Sequence, residues 1–213
     1  MARPSQNIDQ RLLQAGVELL PRTGCRGLSA RRLAEHAGVN LGMFHYHFRT
    51  KDNFIRTLLQ QIYEQMFSLL VLRAHEGESA LQNLRNALLV LAHFGRTHRQ
   101  LLVRIAADAL AGEQVAVDFL QANLPRHLGV ISSLIVEAQR EGDLAKAPVA
   151  QVFAFLAGAV MAPVLLGAAL ADNSALPPAA GGMLEREVLS KKAVEQRVEF
   201  ALRGLSVVDR RMA

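Results

Sequence analysis

The stretch from Leu28 to Phe54, LSARRLAEHAGVNLGMFHYHFRTKDNF, constrains this chain more than any other. It predicts two short helices about a tight turn. Ser29 is placed to cap the first, its hydroxyl accepting from a free amide of the opening turn. Leu33, Ala34 and Ala37 then give that helix one apolar side. Gly38 stands where a helix ends on a left-handed residue, and Val39 follows as the apolar plug of the turn. Asn40 is placed to cap the second helix, which runs through Met43, Phe44, His45, Tyr46 and His47 before Thr50 caps a third. Helix, short Gly-containing turn, helix is the arrangement that sets a recognition helix into the major groove of DNA.

These residues resemble the helix-turn-helix signature of the tetracycline-repressor (TetR) family of bacterial transcription regulators. The matching anchors are Thr23-Gly24 ahead of the first helix, Leu33-Ala34-Glu35 within it, and Ala37-Gly38-Val39 at the turn. His47-Phe48 closes the recognition helix and Lys51 opens the next. One departure matters: where the family most often has Leu-Tyr, this chain has Phe44-His45, with Tyr46 one place later. The family tyrosine's phosphate contact therefore does not map onto a single residue here.

Charge follows the same boundary. The chain of 213 residues carries a formal net charge of +5. Residues 1–56 hold nine Lys/Arg against four Asp/Glu, and the remaining 157 residues hold fifteen of each. The whole excess lies on the segment with the helix-turn-helix, the electrostatic footprint of phosphate binding. Half of the chain is hydrophobic and a fifth charged, a composition that folds rather than stays disordered. The lone cysteine, Cys25, excludes an internal disulfide framework and fits a reducing cytosol. It falls in a predicted turn and is read as an inert small residue rather than a redox sensor. MARPSQNIDQ at the N-terminus has no apolar run of signal-peptide type, so a cytoplasmic location is expected.

Taken in order, a first helix is predicted from about Asn7 to Leu20, with Ile8, Leu12, Ala15 and Leu19 as its buried stripe and Pro21 ending or kinking it. Arg3 and Arg11 are candidates to reach phosphates. A longer helix from Lys51 to about Arg73 buries Phe54, Leu58, Ile62, Met66 and Leu69 and forms a natural lever between domains. Ser79 is placed to cap a helix to Phe94, a further helix is expected over 98–110, and residues 114–142 read as a pair of helices or a single one bent, interrupted at Pro125. Val152 to Ala171 is twenty residues without a charge, long enough to span a membrane. Ala and Gly supply nine of the twenty and Pro163 sits in the middle, so a core or subunit-interface helix is the preferred reading and no membrane partner is expected. Residues 172–182, DNSALPPAAGG, read as a surface loop, and a last amphipathic helix is predicted over Leu184–Leu205 with Glu187–Lys191 and Glu199–Arg203 pairs.

Enzyme and metal signatures are missing. His45 and His47, two apart on a helix, point roughly 200° away from each other and cannot share one ion. There is no CxxC, HExxH, G-x-S-x-G or Gly-rich phosphate loop. No enzyme activity, catalytic residue, metal or cofactor is expected.

The fold class expected is all-α: a three-helix DNA-binding domain over residues 1–50 and a larger helical regulatory domain over 51–213. Resemblance to the family implies that the last two helices pair with a second subunit in a four-helix bundle. It also implies that the middle helices enclose an effector pocket and that repression is relieved by a small molecule. Arg31, Met43 and His45 are expected to touch bases, with Asn40 and Gly42 in the turn that enters the groove. Ser29, Tyr46, His47 and Lys51 are expected to position phosphates. An apolar or amphipathic effector anchored by Arg104 is expected from the Leu-, Val- and Ala-rich middle helices. The homodimer interface is placed at Val160, Val164, Val194, Val198 and Leu202. The partners expected are double-stranded DNA bearing an inverted repeat, a second copy of the chain and a small-molecule effector. Two rivals stand beside this: an interaction protein that has lost specific DNA binding, and a small helical enzyme using the regulatory cavity.

Overall fold

The structure, a computed structural model, describes residues 6–172 and 177–207. Eleven helices follow one another among them: α1 (Gln6–Gly27), α2 (Ala30–Ala37), α3 (Leu41–Phe48), α4 (Lys51–Arg73), α5 (Ala80–Thr97), α6 (Arg99–Leu110), α7 (Gln114–Glu141), α8 (Val149–Val160), α9 (Ala162–Asp172), α10 (Pro178–Glu187) and α11 (Lys191–Leu205). The described residues contain no β-strand, only an isolated bridge between Leu144 and Ser206. The all-α class is as the sequence predicts. Backbone contacts gather the chain into two compact units, Met1–Glu64 with Gln100–Asn123, and Gln65–Arg99 with Leu124–Ala213.

In the first unit α1 runs past its predicted end. Pro21 lies inside its last turns, and the helix yields only at Gly24, whose φ of 67° is open to a residue without a Cβ. Proline removes the bond to the carbonyl of Val17 but tolerates the helix when so few residues follow it. The core gathers Leu12, Leu20, Leu33, Phe44, Phe54 and Leu58, all sealed from solvent. Leu101 and Ile105 of α6 and Val115 and Ala116 of α7 complete it, although nothing in the order of the chain attaches these distant segments to the first three helices.

In the second unit α5 is capped by Ser79, whose hydroxyl accepts from the Gln82 amide at 3.2 Å, as predicted. The segment 149–170 is long and apolar enough to cross a membrane by length and composition. It is interrupted at Met161, and Val152, Leu156, Val160, Val164 and Ala168 are buried at near-helical spacing against their own chain. α11 packs on α5 and α8, and α9 on α5 and α8.

Three expectations are corrected here. The single helix predicted over 184–205 is two: α10 ends at Glu187, and Ser190 caps α11 by accepting from the Ala193 amide. Two arginines hold the break open, Arg96 donating to the Leu189 carbonyl at 2.9 Å and Arg197 to the Val188 carbonyl at 2.7 Å. Glu187 and Lys191 thus lie on different helices; Lys191 pairs with Glu195, and Glu199 with Arg85. The loop predicted over 172–182 is helical from Pro178, and its residues 173–176 lie outside the described ones. The residues assigned to the dimer interface are interior to the protomer: Val160, Val164, Val194, Val198 and Leu202 expose 5% or less. Their stripe is consumed by packing among α5, α8 and α11, and a side chain already buried in one chain has no surface to give another.

Candidate nucleic-acid interface

The turn between α2 and α3 is fixed by local chemistry first. The Ser29 hydroxyl accepts from the Arg32 amide at 3.2 Å and so starts α2. At its end Gly38 adopts φ 61°, ψ 40°, a conformation that strains any residue with a Cβ. The Gly38 amide then reaches back to Glu35 and the Val39 amide to Ala34, satisfying two carbonyls of the last turn. The Asn40 carboxamide accepts from the Gly42 amide at 2.7 Å and starts α3.

Contacts from far along the chain then pin this frame. Arg11 donates to the carbonyls of Ala37 and Gly38, at 2.6 and 3.0 Å. It is therefore a clamp on the turn, not the phosphate arm the sequence suggested; Arg3 lies outside the described residues. Asp108 of α6 accepts from the Cys25 amide at 2.6 Å, and Lys51 donates to the Cys25 carbonyl at 2.9 Å. Arg26 pairs with Glu113 at 3.0 Å. Burial, aided by the Asp108 carboxylate, pushes the Cys25 thiol up to about 12. It stays protonated at neutral pH, in keeping with an inert residue. His36 of α2 holds Glu18 of α1 at 2.8 Å, and that hydrogen bond lowers the Glu18 carboxyl below the usual range.

On α3, Phe44 and Phe48 turn inward and meet Phe54, with ring centroids 5.5 and 4.8 Å away. The opposite arc is exposed: Leu41, Gly42, His45, Tyr46 and Arg49, with Tyr46 at 74% exposure. At the end of the helix Arg49 takes φ 62°, ψ −59°, and the Thr50 amide reaches the Phe48 carbonyl at 2.6 Å. That γ-type turn is strained for a residue with a Cβ, at about 1–3 kcal/mol. Thr50 and Asn53 brace it: the Thr50 hydroxyl accepts from the Asn53 amide, and the Asn53 side chain donates to the Phe48 carbonyl.

The residues singled out from the sequence thus divide. Arg31 is exposed on α2, with only a 4.0 Å approach to Glu35. Asn40, Gly42, His45 and Tyr46 share the open side of α3, while Met43 is half-buried on its flank. His47 departs from expectation, because its Nε2 is buried without a hydrogen-bond partner. The Lys51 ammonium gives one of its three donors to the Cys25 carbonyl. Arg104 is corrected outright: it is an exposed residue of α6 beside Gly24 in the first unit, not a pocket anchor. Arg49, just after Phe48, is exposed at the helix end beside the open side of α3.

The second unit holds a pocket of about 490 Å³ between α4 and α5, lined by Met66, Leu69, Val90 and Phe94 together with Arg73 and His98. Burial lowers the His98 imidazole below its ordinary value.

Comparison with known proteins agrees with this geometry. Residues 12–58 match the profile of bacterial regulatory proteins of the tetR family. No curated protein matches the sequence. Several solved structures share the fold. The ketosteroid transcriptional regulator KstR2 of Mycobacterium tuberculosis aligns with a TM-score of 0.72 at 16% identity, over 94% of this chain and 95% of its own. A tetR-family regulatory protein from Rhodococcus RHA1 gives 0.70 at 14% identity, over 98% of this chain and 100% of its own. The regulator PfmR from Thermus thermophilus gives 0.66 at 14% identity, over 91% and 97%. The chain thus carries the tetR-family DNA-binding signature over residues 12–58 and, over almost its whole length, the fold that tetR-family transcriptional regulators share.

Proposed function

We propose that this protein is a homodimeric cytoplasmic repressor that leaves its operator when a small amphipathic molecule binds. Residues 1–50 serve DNA and residues 51–213 serve regulation and dimerisation. The observation that carries the reading is α3 itself, whose two phenylalanines anchor it while a polar arc stays open between two capped ends. Arg31, Asn40, Gly42, His45 and Tyr46 form the reading face, and Arg49 extends it. Met43 borders it, and Ser29 offers the phosphate backbone the free side of its hydroxyl.

Dimerisation belongs on the apolar surface that the protomer leaves uncovered. Phe155 of α8, Leu166 of α9, Met183 of α10 and Phe200 of α11 expose 48%, 64%, 58% and 64%. The Phe155 ring lies 3.9 Å from where a Cβ on Gly204 would stand, one helical turn from Phe200, which supports a continuous patch. A symmetric pair of such faces is the arrangement expected of a two-fold dimer. The effector belongs in the pocket between α4 and α5, whose apolar lining and flanking Arg73 and His98 suit an amphipathic ligand.

Footprinting on the DNA upstream of its own reading frame tests this. The expected result is a two-fold symmetric protected site with half-site centres roughly 34 Å apart or slightly more, and affinity that falls steeply with salt. Amphipathic ligands should weaken that protection. Binding without sequence preference at every salt concentration would overturn the reading.

A further inference from the structure

The recognition helix carries a histidine whose hydrogen-bonding sense is set by the protein. His45 Nδ1 lies 3.1 Å from the Arg49 carbonyl oxygen, one turn along α3. A carbonyl oxygen only accepts, so Nδ1 carries the proton in this contact. In the neutral ring the other nitrogen, Nε2, is then an acceptor. The carbonyl is itself held in place, because the γ-type turn at Arg49 is braced by Thr50 and Asn53. His45 lies within the exposed arc of α3, between Leu41 and Arg49. The ring of Phe44 stands edge-on to it, with centroids 5.5 Å apart, and limits its swing.

We infer that His45 selects, at one position in each half-site, the base on the contacted strand that presents an exocyclic amine in the major groove: adenine with its 6-amino group or cytosine with its 4-amino group, against guanine and thymine. An acceptor at Nε2 pairs with either amine, whereas it meets the O6 and N7 of guanine and the O4 of thymine acceptor against acceptor. The Arg49 carbonyl acts here as a positioning group, fixing the tautomer as second partners of metal-binding histidines do. The inference rests on the reading of α3 as the recognition helix and adds the chemical sense of one contact to it.

The test begins with selection of bound sequences from a random duplex library by the full-length protein. A library that yields no consensus overturns the recognition-helix reading and this inference with it. Given a consensus, each adenine is replaced by purine, which lacks the 6-amino group, or by 7-deazaadenine, which lacks N7; each cytosine is replaced by pyrimidin-2-one. At one position per half-site, loss of the amine should weaken wild-type binding about 3–10-fold, the worth of one net hydrogen bond, and loss of N7 should not. His45→Asn keeps a donor for the Arg49 carbonyl but has no atom at the place of Nε2. This variant should fold and melt as wild type does, and lose the sensitivity at that position alone. Comparing the two proteins on the same duplexes cancels the effect of the analogue on the DNA. If His45→Asn responds to every analogue as wild type does, His45 reads no base amine. If wild type responds at that position to loss of N7 and not of the amine, His45 donates there. Either result overturns the inference while leaving the regulator reading intact.

Discussion

At Gly38 the chain is held by bonds that name their partners. Two amides cap α2, the Arg11 guanidinium grips two carbonyls, and Asn40 starts the next helix. At Met161 nothing comparable is found. α8 begins after Pro148 without a side-chain cap, and its placement comes from burying Val152, Leu156 and Val160. The first region shows a polar arc to solvent, the second an apolar one. On the reading proposed above, the difference teaches how one chain meets two kinds of partner. A surface that must present donors and acceptors in fixed directions needs its backbone ends pinned, because a hydrogen bond weakens steeply with angle. A surface that buries area against a copy of itself needs only shape and apolar contact, which are not directional.

The sharpest way to break this comparison is a pair of substitutions two residues apart on α11. Val198 is sealed in the protomer and Phe200 is 64% exposed. Val198→Asp should cost about 4 kcal/mol or more by burying an unpaired carboxylate, enough to unfold the chain. Phe200→Asp should change protomer stability by no more than about 0.5 kcal/mol, yet turn a dimer into a monomer in sedimentation. A folded, monomeric Val198→Asp beside a dimeric Phe200→Asp would restore the interface at the buried valines.

A second, smaller effect concerns the polar pins. Asp108 accepts from the half-buried Cys25 amide at 2.6 Å. Asp108→Ala leaves that donor unmet and should cost about 1–3 kcal/mol, read by denaturant unfolding. Glu113→Ala, which frees the largely exposed Arg26, should cost less than about 1 kcal/mol. DNA affinity should fall with the first and hardly move with the second, although neither carboxylate faces α3's open arc. Equal costs would mean that Asp108 is no more than another surface charge.

The two regions also differed in how far they could be read in advance. Ser29, Gly38, Asn40, Thr50 and Ser79 each act within four residues of themselves, so their caps were legible from neighbours alone. Ser190 carries the same signal, but the apolar spacing of Leu184 to Leu205 continues across it and argued for one helix. The buried valines of α8 and α11 show a related limit. Periodicity finds an apolar stripe without saying whether the chain or a second copy covers it, and Phe155 and Phe200 sat on the other stripe. The contacts of Arg11, Lys51 and Asp108 with the first three helices span 26 to 83 positions. No local pattern encodes a bond to a carbonyl or amide so far away. Arg104 was chosen for its charge in an apolar stretch, whereas its neighbour Asp108, one turn on, carries the contact.

The smallest expected effect probes whether the polar pins titrate as their geometry requires. Glu18 and His36 join α1 to α2 through a 2.8 Å contact with both side chains about half exposed. The hydrogen bond from His36, followed by that from Gln14, holds the Glu18 carboxyl below its ordinary range. In the unfolded chain those partners are gone and the carboxyl takes up its proton at higher pH, near the usual value of about 4.3. Between the two values the unfolded state binds more protons, so stability rises with pH across that window. The contribution is complete above the ordinary carboxylate range and disappears as the pH falls through the lowered value. Solvent screens so exposed a pair, and its share should shrink further in strong salt. Denaturant midpoints taken at about pH 6 and about pH 3 in low salt should therefore drop less for Glu18→Gln than for wild type. Leu166→Ala, in the apolar patch, should leave the pH dependence unchanged, since it removes area and no titrating group. A Glu18→Gln slope identical to wild type would mean that the turn between α2 and α3 relies on Arg11 and its caps, with the α1–α2 ion pair contributing nothing to it.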